Sequence, residues 1–256
     1  MQSKSVWLGP LRGPVKLAMI VSVALTVLMA AWLIVTYATG NSELGMHEMI
    51  RPSGKPMVQA MLILLCIALL SSSIFLSDTR GAIEIEANGF FDILSLVLSR
   101  LAMIGVIFIV IVMFYEVISR YVFEKPTLWA NELSLWIAAM VFLFAGQYAM
   151  QQRSHIRIYI IYDMMPRWMR KTADVISLLL IWVFVICVIW GMYDNALARF
   201  MRFEKFGTAW DPPIPATVIP GILIVVTLVA LQATSNLIAD WHKEEDHHSP
   251  ADEIDE

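Results

Sequence analysis

Long apolar runs alternate with short polar segments along the chain. Six such runs cover residues 17–37, 57–77, 101–119, 133–152, 175–193 and 214–239, and Glu116 is the only charged side chain inside them. About 20 apolar residues are enough for a helix to cross the ~30 Å hydrocarbon layer of a bilayer. Backbone groups in lipid must be hydrogen-bonded within the segment, so the runs predict membrane-spanning helices rather than open strands.

The composition excludes several classes of protein. Of the 256 residues, 59% are hydrophobic and 16% are charged, whereas a soluble domain carries roughly 25% charged residues. The segments between the runs are too short for a soluble catalytic domain. The net charge of −4, with no basic face of interleaved aromatic residues, gives no indication of nucleic acid as a partner. The predicted fold class is an all-α integral membrane protein with about six transmembrane helices.

The polar segments indicate how the chain is oriented. Residues 153–171 contain five basic residues against one acidic residue, Asp163, and an excess of Lys and Arg is typical of cytoplasmic loops. This distribution predicts that both termini are cytoplasmic. Basic residues also precede the first run, but its apolar length exceeds that of a signal-peptide core, so we expect a retained helix.

Three stretches outside the runs have a character of their own. Residues 88–98 are apolar and form either an interfacial helix or an extension of the third span. Residues 156–170 mix apolar and basic side chains, which is typical of an amphipathic arm in the headgroup region. Residues 241–256 are acidic and lack apolar periodicity, so we expect a disordered tail.

Candidate chemistry is confined to a few positions. An ionisable side chain inside a span is costly and is a default candidate for a functional site, and only Glu116 qualifies. Arg120 follows one helical turn later on the same face, which favours an ion pair over a proton or cation site at Glu116. None of the five His residues lies in a run, and no nucleotide, hydrolase or metal motif occurs. We predict no enzyme activity, no cofactor and no bound metal.

An ordered set of residues begins at Arg120. The letters RYVFEKPTLWANE run from Arg120 to Glu132, so that a span ends in Arg and a Pro-containing loop leads to Trp129 and an acidic residue. Gly146 lies near the end of the next run, which leads to the letters RSHI at 153–156 and then to Pro166 and Arg170. This order and spacing resemble the DctQ-like family, the small membrane subunit of tripartite ATP-independent periplasmic (TRAP) transporters.

Two positions depart from the family pattern. Asn131 stands where the family often has a second acidic residue before Glu132, and Tyr159 stands where it commonly has Asp. The resemblance implies three parts of the chain: a two-helix N-terminal extension (1–87), a four-helix DctQ-like membrane domain (88–240) and the acidic tail (241–256).

The resemblance also implies a role. The small subunit is expected to scaffold the large TRAP membrane subunit in a bacterial inner membrane. The large subunit would carry out sodium-coupled uptake of an organic acid that a periplasmic solute-binding protein delivers. The implied partners are these two proteins and membrane lipids.

The residues that match the family pattern form two groups. Candidates for interhelical or subunit contacts are Glu116, Arg120, Trp129, Glu132 and Gly146. Of these, Arg120, Trp129 and Glu132 are expected on the periplasmic side. Candidates for the cytoplasmic interface and lipid headgroups are Arg153, His155, Arg157, Arg167, Trp168 and Arg170. The simpler reading of both groups is that they finish helices at a membrane interface.

Two other functions compete with the scaffold. One is a membrane anchor for another complex, such as a respiratory complex, although the absence of His within the runs counts against it. The other is an autonomous channel or carrier, which would be expected to have more polar groups in mid-membrane and paired, interrupted spans.

Overall fold

The structure, a computed structural model, describes residues 5–79, 81, 84–87, 89–153 and 165–241. A 3-10 turn at Gly9–Leu11 leads into the first helix. The α-helices of the described residues are α1 (Arg12–Ala38), α2 (Met46–Ile50), α3 (Pro56–Ser77), α4 (Phe90–Tyr121), α5 (Ala130–Gln151), α6 (Arg167–Met201) and α7 (Ile214–Asp240). All except α2 are long and apolar enough to cross a membrane, which confirms the predicted all-α class and its six spans.

The third span settles one alternative that the pattern left open. Helix α4 is continuous over 32 residues, so the described part of 88–98 extends this span and does not form a separate interfacial helix. At 1.5 Å per residue α4 is ~48 Å long, well over the thickness of the hydrocarbon layer. The helix must therefore tilt or project into a headgroup region.

The C-terminal boundary predicted for the interfacial arm, at residue 170, was wrong. Residues 154–164 lie outside the described part of the chain, as does the tail at 242–256. Pro166 is the N-cap of α6, and Arg167 is already the first residue of that helix. Arg167, Trp168 and Arg170 thus belong to a long transmembrane helix, because Pro is well tolerated where a helix begins and does not break it there.

The long helices contact one another in the order α1, α3, α4, α5, α7 and α6, with a further contact between α4 and α7. Contacts near both ends show the directions of the helices. α4 and α5 meet at Ser95 and Gln147 and again at Tyr115 and Trp129, so they are antiparallel. α6 and α7 are also antiparallel, because Lys171 near the start of α6 lies over Trp241 at the end of α7. α5 and α7 run in parallel, since they are joined near their starts by Trp136 and Thr217 and near their ends by Met150 and Asn236. One end of the molecule therefore holds the N-termini of α1, α4 and α6 and the C-termini of α3, α5 and α7. We call it the first end, and we call the opposite end the second end.

Little of the helix surface is buried within the chain. In the most apolar window of α6 only 6% of the residues are buried, and in the other five spans 17%. The three largest fully buried side chains among the described residues are Gln147, Gln151 and Gln232. Small and polar residues at helix contacts and apolar residues facing outward are the arrangement expected of helices packed in lipid.

Candidate functional site

The buried carboxylate of Glu116 organises the second end of α4. Its side chain is only 5% exposed, and its Oε1 accepts hydrogen bonds from Nε and Nη2 of Arg120 at 3.0 and 2.6 Å. Its Oε2 accepts bonds from the backbone N–H of Thr127, at 3.0 Å, and from the Thr127 hydroxyl. Both carboxylate oxygens are therefore used within the chain. The predicted ion pair is present, and it also holds the loop that follows α4.

That loop, residues 122–129, folds back against the helix it leaves. Its backbone is tied to α4 by the Lys125 N–H, which donates to the carbonyl of Ser119 at 2.9 Å. Trp129 is the N-cap of α5 and stacks on Tyr115 with ring centroids 5.8 Å apart. The contact between Tyr115 and Trp129 joins α4 to the start of α5. Aromatic rings near the ends of membrane-spanning helices are typical of a membrane interface.

Glu132 and Gly146 occupy different surroundings on α5. Glu132 lies in the first turn of α5, where the helix dipole stabilises a negative charge. Its Oε2 is buried without a hydrogen-bond partner in the described part of the chain. A Cβ atom added at Gly146 would meet nothing within 4 Å, so no described contact inside the chain requires a glycine at this position. The structure therefore does not bring either residue into the contacts around Glu116.

A second ionic cluster, at the first end, was not predicted from the sequence. Glu84 precedes α4, and both its carboxylate oxygens accept hydrogen bonds from Nη2 of Arg100, at 2.7 and 2.6 Å. The hydroxyl of Tyr148 on α5 donates to Glu84 at 2.9 Å. Burial raises the pKa of Glu84, but the hydrogen bonds from Arg100, Gly81 and Tyr148 outweigh it and hold the pKa below its ordinary value.

Buried amides lie where α4, α5 and α7 meet. Gln232 on α7 donates to Asp92 on α4 at 2.6 Å and to Asn236 at 2.9 Å. Asn236 in turn donates to the carbonyl of Met150 on α5 at 2.8 Å. Gln147 is fully buried on α5, and neither atom of its amide has a partner among the described residues. Polar bonds of this kind fix the relative register of helices in a bilayer.

The match to a protein family agrees with this architecture. The model of the family described as tripartite ATP-independent periplasmic transporters, DctQ component, matches residues 109–243. The chain belongs to the DctQ family. It is thus a small component of a TRAP transporter, and its family is one of transport components rather than enzymes. No curated protein and no solved structure matches the chain.

The matched region of this DctQ chain contains all the candidate residues named from the pattern. It begins in the second half of α4 and ends just beyond α7, so α1, α2 and α3 precede it. In the described residues no group of three or more His, Cys, Asp and Glu is placed to hold a metal ion. The groups that the structure assembles near the membrane surfaces are ion pairs and hydrogen-bonded amides.

The predicted cytoplasmic residues of the DctQ chain are placed only in part. Arg153 donates to both carboxylate oxygens of Asp240, which joins the end of α5 to the end of α7. Arg170 donates from Nε to the carbonyl of Met165 at 2.9 Å. Arg167 is exposed and Trp168 is 69% exposed, whereas His155 and Arg157 lie outside the described residues.

The loops of the DctQ chain meet at the second end. Trp210, in the loop between α6 and α7, is 4% exposed and donates from Nε1 to the carbonyl of Met46 at 2.8 Å. Arg51 and Asp211 form an ion pair at 3.2 Å. Asp211 also accepts a hydrogen bond from the Gly207 backbone, which is the main reason that its pKa lies below its ordinary value. The connection between α1 and α3, residues 39–55, is therefore held against the loop between α6 and α7 by a hydrogen bond and an ion pair.

The residues missed from the sequence left a weak signal. Arg100 and Asp92 are charged residues beside or within apolar stretches, and a longer third span would have placed both on one helix. Gln147 and Gln232 are uncharged, so a count of charges could not identify them. Their significance follows from burial, which only helix packing reveals.

Proposed function

We propose that this DctQ chain is the small permease subunit that scaffolds the large membrane subunit of a sodium-coupled importer. In this proposal the solute is an organic acid that a periplasmic solute-binding protein delivers. Membership of the DctQ family is the observation that carries the proposal. Sodium coupling and the acidic solute rest on the family resemblance.

The use of charge within the chain supports a scaffold. Glu116 and Glu84 lie near opposite ends of the helices, and each has both carboxylate oxygens bound by groups of this chain. A carboxylate that binds a transported ion must exchange its partners during the cycle. Carboxylates held by Arg side chains and by the backbone instead fix helix ends and loops, which suits a subunit that provides a rigid framework.

The distribution of basic residues supports an orientation of the chain in the membrane. We place the first end, with Arg100, Arg153 and the start of α6, on the cytoplasmic side of a bacterial inner membrane, because basic residues concentrate there. Both termini are then cytoplasmic. The Glu116 pair and the loop contact of Trp210 with Met46 then face the periplasm.

The two groups of family residues divide between partner and lipid. Arg120, Trp129, Glu132 and Gly146 contribute to the contact with the large subunit, and Glu116 acts by holding Arg120 and the loop in place. The open surface at Gly146 permits close approach of another helix. Arg153, His155, Arg157, Arg167, Trp168 and Arg170 serve the cytoplasmic interface, where exposed cations and Trp168 meet lipid headgroups.

Co-purification tests the scaffold. The chain is expressed with the products of its neighbouring genes, and a tag on this chain should recover a many-helix permease as a stable complex. Gly146→Leu should reduce the recovery, because a large side chain occupies the surface where the partner helix approaches. The matched control is Gly191→Leu, which adds the same side chain at an exposed glycine of α6 where an added Cβ also meets nothing within 4 Å. Equal recovery with both variants would contradict a contact at Gly146.

Transport by reconstituted protein tests the division of labour. Liposomes with this chain alone should show no sodium-dependent uptake of an organic acid. Liposomes with the recovered complex and the solute-binding protein should show it. Sodium-dependent uptake by this chain alone would contradict the scaffold and favour the autonomous carrier.

A further inference from the structure

A shallow groove lies beside the exposed side of the Glu116–Arg120 pair. It follows one face of α4 and reaches the start of α5. The residues that line it are Met113, Glu116, Val117, Arg120, Tyr121 and Asn131. Its lining changes from apolar at Met113 and Val117 to polar at Arg120 and Asn131.

The polar part of the groove has unused hydrogen-bond donors. Arg120 directs Nε and Nη2 at Glu116, and its Nη1 has no hydrogen bond with the described residues. The Arg120 side chain is 49% exposed although Glu116 beneath it is 5% exposed. A guanidinium carries five N–H donors in a fixed plane. The buried carboxylate therefore holds the guanidinium in one position with donors directed away from it.

The apolar part of the groove lies deeper in the membrane. Met113 and Val117 precede Arg120 on α4, and seven residues of helix separate Met113 from Arg120 by ~10 Å. Arg120 follows directly after the apolar run 101–119, so it lies where the hydrocarbon layer gives way to headgroups. The stacked rings of Tyr115 and Trp129 mark the same depth.

We propose that this groove binds a phospholipid of the leaflet at the second end. The phosphodiester accepts hydrogen bonds from Arg120 and from the amide of Asn131, and the start of an acyl chain lies along Val117 and Met113. A guanidinium binds phosphate through two parallel N–H bonds, which a compact ammonium cannot do. Because Glu116 already neutralises Arg120, the site does not require an anionic lipid, and a zwitterionic phosphodiester also fits.

A phospholipid fits the groove better than a free anion or a soluble solute. A free phosphate would use the polar part alone and leave the apolar part uncovered. A lipid covers both parts at the depth where its own phosphate lies. The bound lipid would then lie between Arg120 and the large subunit, so that this residue contacts its partner through the lipid. Lipid binding by the chain alone does not depend on the proposed scaffold function.

Lipid binding can be counted by native mass spectrometry of the full chain in detergent. Palmitoyl-oleoyl phosphatidylethanolamine is added to the wild type and to Arg120→Gln and Val117→Trp. The matched control is Arg202→Gln, which changes a side chain that is 69% exposed at the same end of the molecule and outside the groove. We expect the affinity for the first lipid to fall about tenfold in both groove variants and to stay unchanged in the control.

The two groove variants fail for different reasons, which keeps the inference testable. Arg120→Gln removes the phosphate donors but also leaves Glu116 without its cation, so it can disturb folding. Val117→Trp fills the apolar part and leaves the ion pair intact. Full lipid binding by either variant would overturn the proposal.

Two further measurements separate the lipid from other occupants. Glycerol phosphate, which has the headgroup phosphate but no acyl chain, should neither bind measurably nor displace the lipid; equal binding would show a free-anion site and overturn the proposal. In a variant in which Cys66 and Cys187, both exposed free cysteines, are replaced by Ala, Asn131→Cys should react with a thiol-reactive phospholipid analogue in vesicles, and the parent without this cysteine should not. If this cysteine is instead protected by the large subunit and no lipid is retained in the complex, the groove is a protein contact.

Discussion

Arg100 and Glu84 form a buried ion pair in which a single nitrogen, Nη2, donates to both carboxylate oxygens, at 2.7 and 2.6 Å. The pair joins the segment before α4 to the helix itself, and Tyr148 adds α5 through its hydroxyl. Arg100 also donates to the carbonyl of Thr79, just after α3. One side chain on α4 thus holds the connection between the first three helices and the rest of the chain.

The pH dependence of stability should report this pair. The ordinary pKa of Glu84 is near 4.5 and the folded state holds it lower. The stabilisation by the carboxylate is therefore complete above the ordinary value and is lost as the pH falls through the folded value. Glu84→Gln should have a lower melting temperature at neutral pH, because it leaves Arg100 buried without its counter-charge. Its melting temperature should also fall less as the pH is lowered from 7 to about 3, a range that extends below the ordinary Glu value.

Thermal unfolding in detergent, followed by circular dichroism, measures both effects. Glu124→Gln is the control, since Glu124 is exposed in the loop after α4, and its pH profile should match that of the wild type. Parallel profiles for the wild type and Glu84→Gln would show that this carboxylate does not contribute to acid sensitivity.

The buried amides should respond to substitution in opposite directions. Neither amide atom of Gln147 has a partner among the described residues, so Gln147→Leu removes an unsatisfied polar group at similar volume and should raise the melting temperature. Gln232→Leu breaks the bonds to Asp92 and Asn236 and should lower it. Each change corresponds to about 1–3 kcal/mol in the free energy of unfolding. A loss of stability in Gln147→Leu would mean that its amide is hydrogen-bonded in the bilayer-inserted protein.

Asp78 should control the order of the N-terminal segment. Its Oδ1 accepts four hydrogen bonds of 2.9 Å, from the Ser5 hydroxyl and the backbone N–H groups of Val6, Trp7 and Leu8. Asp78→Ala removes the acceptor, and the amides of these residues should exchange with deuterium faster. Asp78→Asn keeps an acceptor oxygen and should have a smaller effect.

Hydrogen-exchange mass spectrometry of peptides from the first 12 residues gives the readout. Thr79→Ala is the control, because Thr79 lies just after α3 and its hydroxyl donates to the carbonyl of Leu76 near the end of that helix, not to the N-terminal segment. Unchanged exchange in Asp78→Ala would show that the segment is held by something other than this carboxylate.

The connection between α1 and α3, residues 39–55, should become more accessible to protease when its contacts with the α6–α7 loop are removed. Trp210→Phe keeps the aromatic ring but removes the bond from Nε1 to the carbonyl of Met46, and Arg51→Ala removes the ion pair with Asp211. Both variants should be cleaved faster after Glu43 and Glu48 by a Glu-specific protease. Thr208→Ala, an exposed change in the same loop, should be cleaved at the wild-type rate; if Trp210→Phe matches it, the bond does not hold this connection.

The apolar runs of the sequence predicted the boundaries of the helices only in part. The apolar run 101–119 located the core of the third span, but α4 continues back to Phe90, across Arg100 and Asp92. A count of charges ends a span at Arg100. The helix continues because Glu84 neutralises Arg100 and Gln232 binds Asp92, and both partners come from other segments of the chain.

The ion pair at Glu116 shows which contacts a sequence can predict. Glu116 and Arg120 are four residues apart on one helix, so helical geometry alone places them together. Thr127 completes the site from a loop, and nothing in its spacing indicated that it would. The pairs Arg153 with Asp240 and Arg51 with Asp211 join residues 87 and 160 positions apart.

The sequence by itself determined the membrane class, the six spans and the family of this protein. Those properties depend on the length of apolar runs and on short-range order, which do not require knowledge of neighbours in space. Only the tertiary structure decided that glutamines are the largest fully buried side chains of the described part of the chain and that Glu84, Arg100 and Tyr148 meet. The reason is physical: in lipid the apolar surface faces outward, so helix packing depends on sparse polar and small side chains whose partners are fixed by helix order and register.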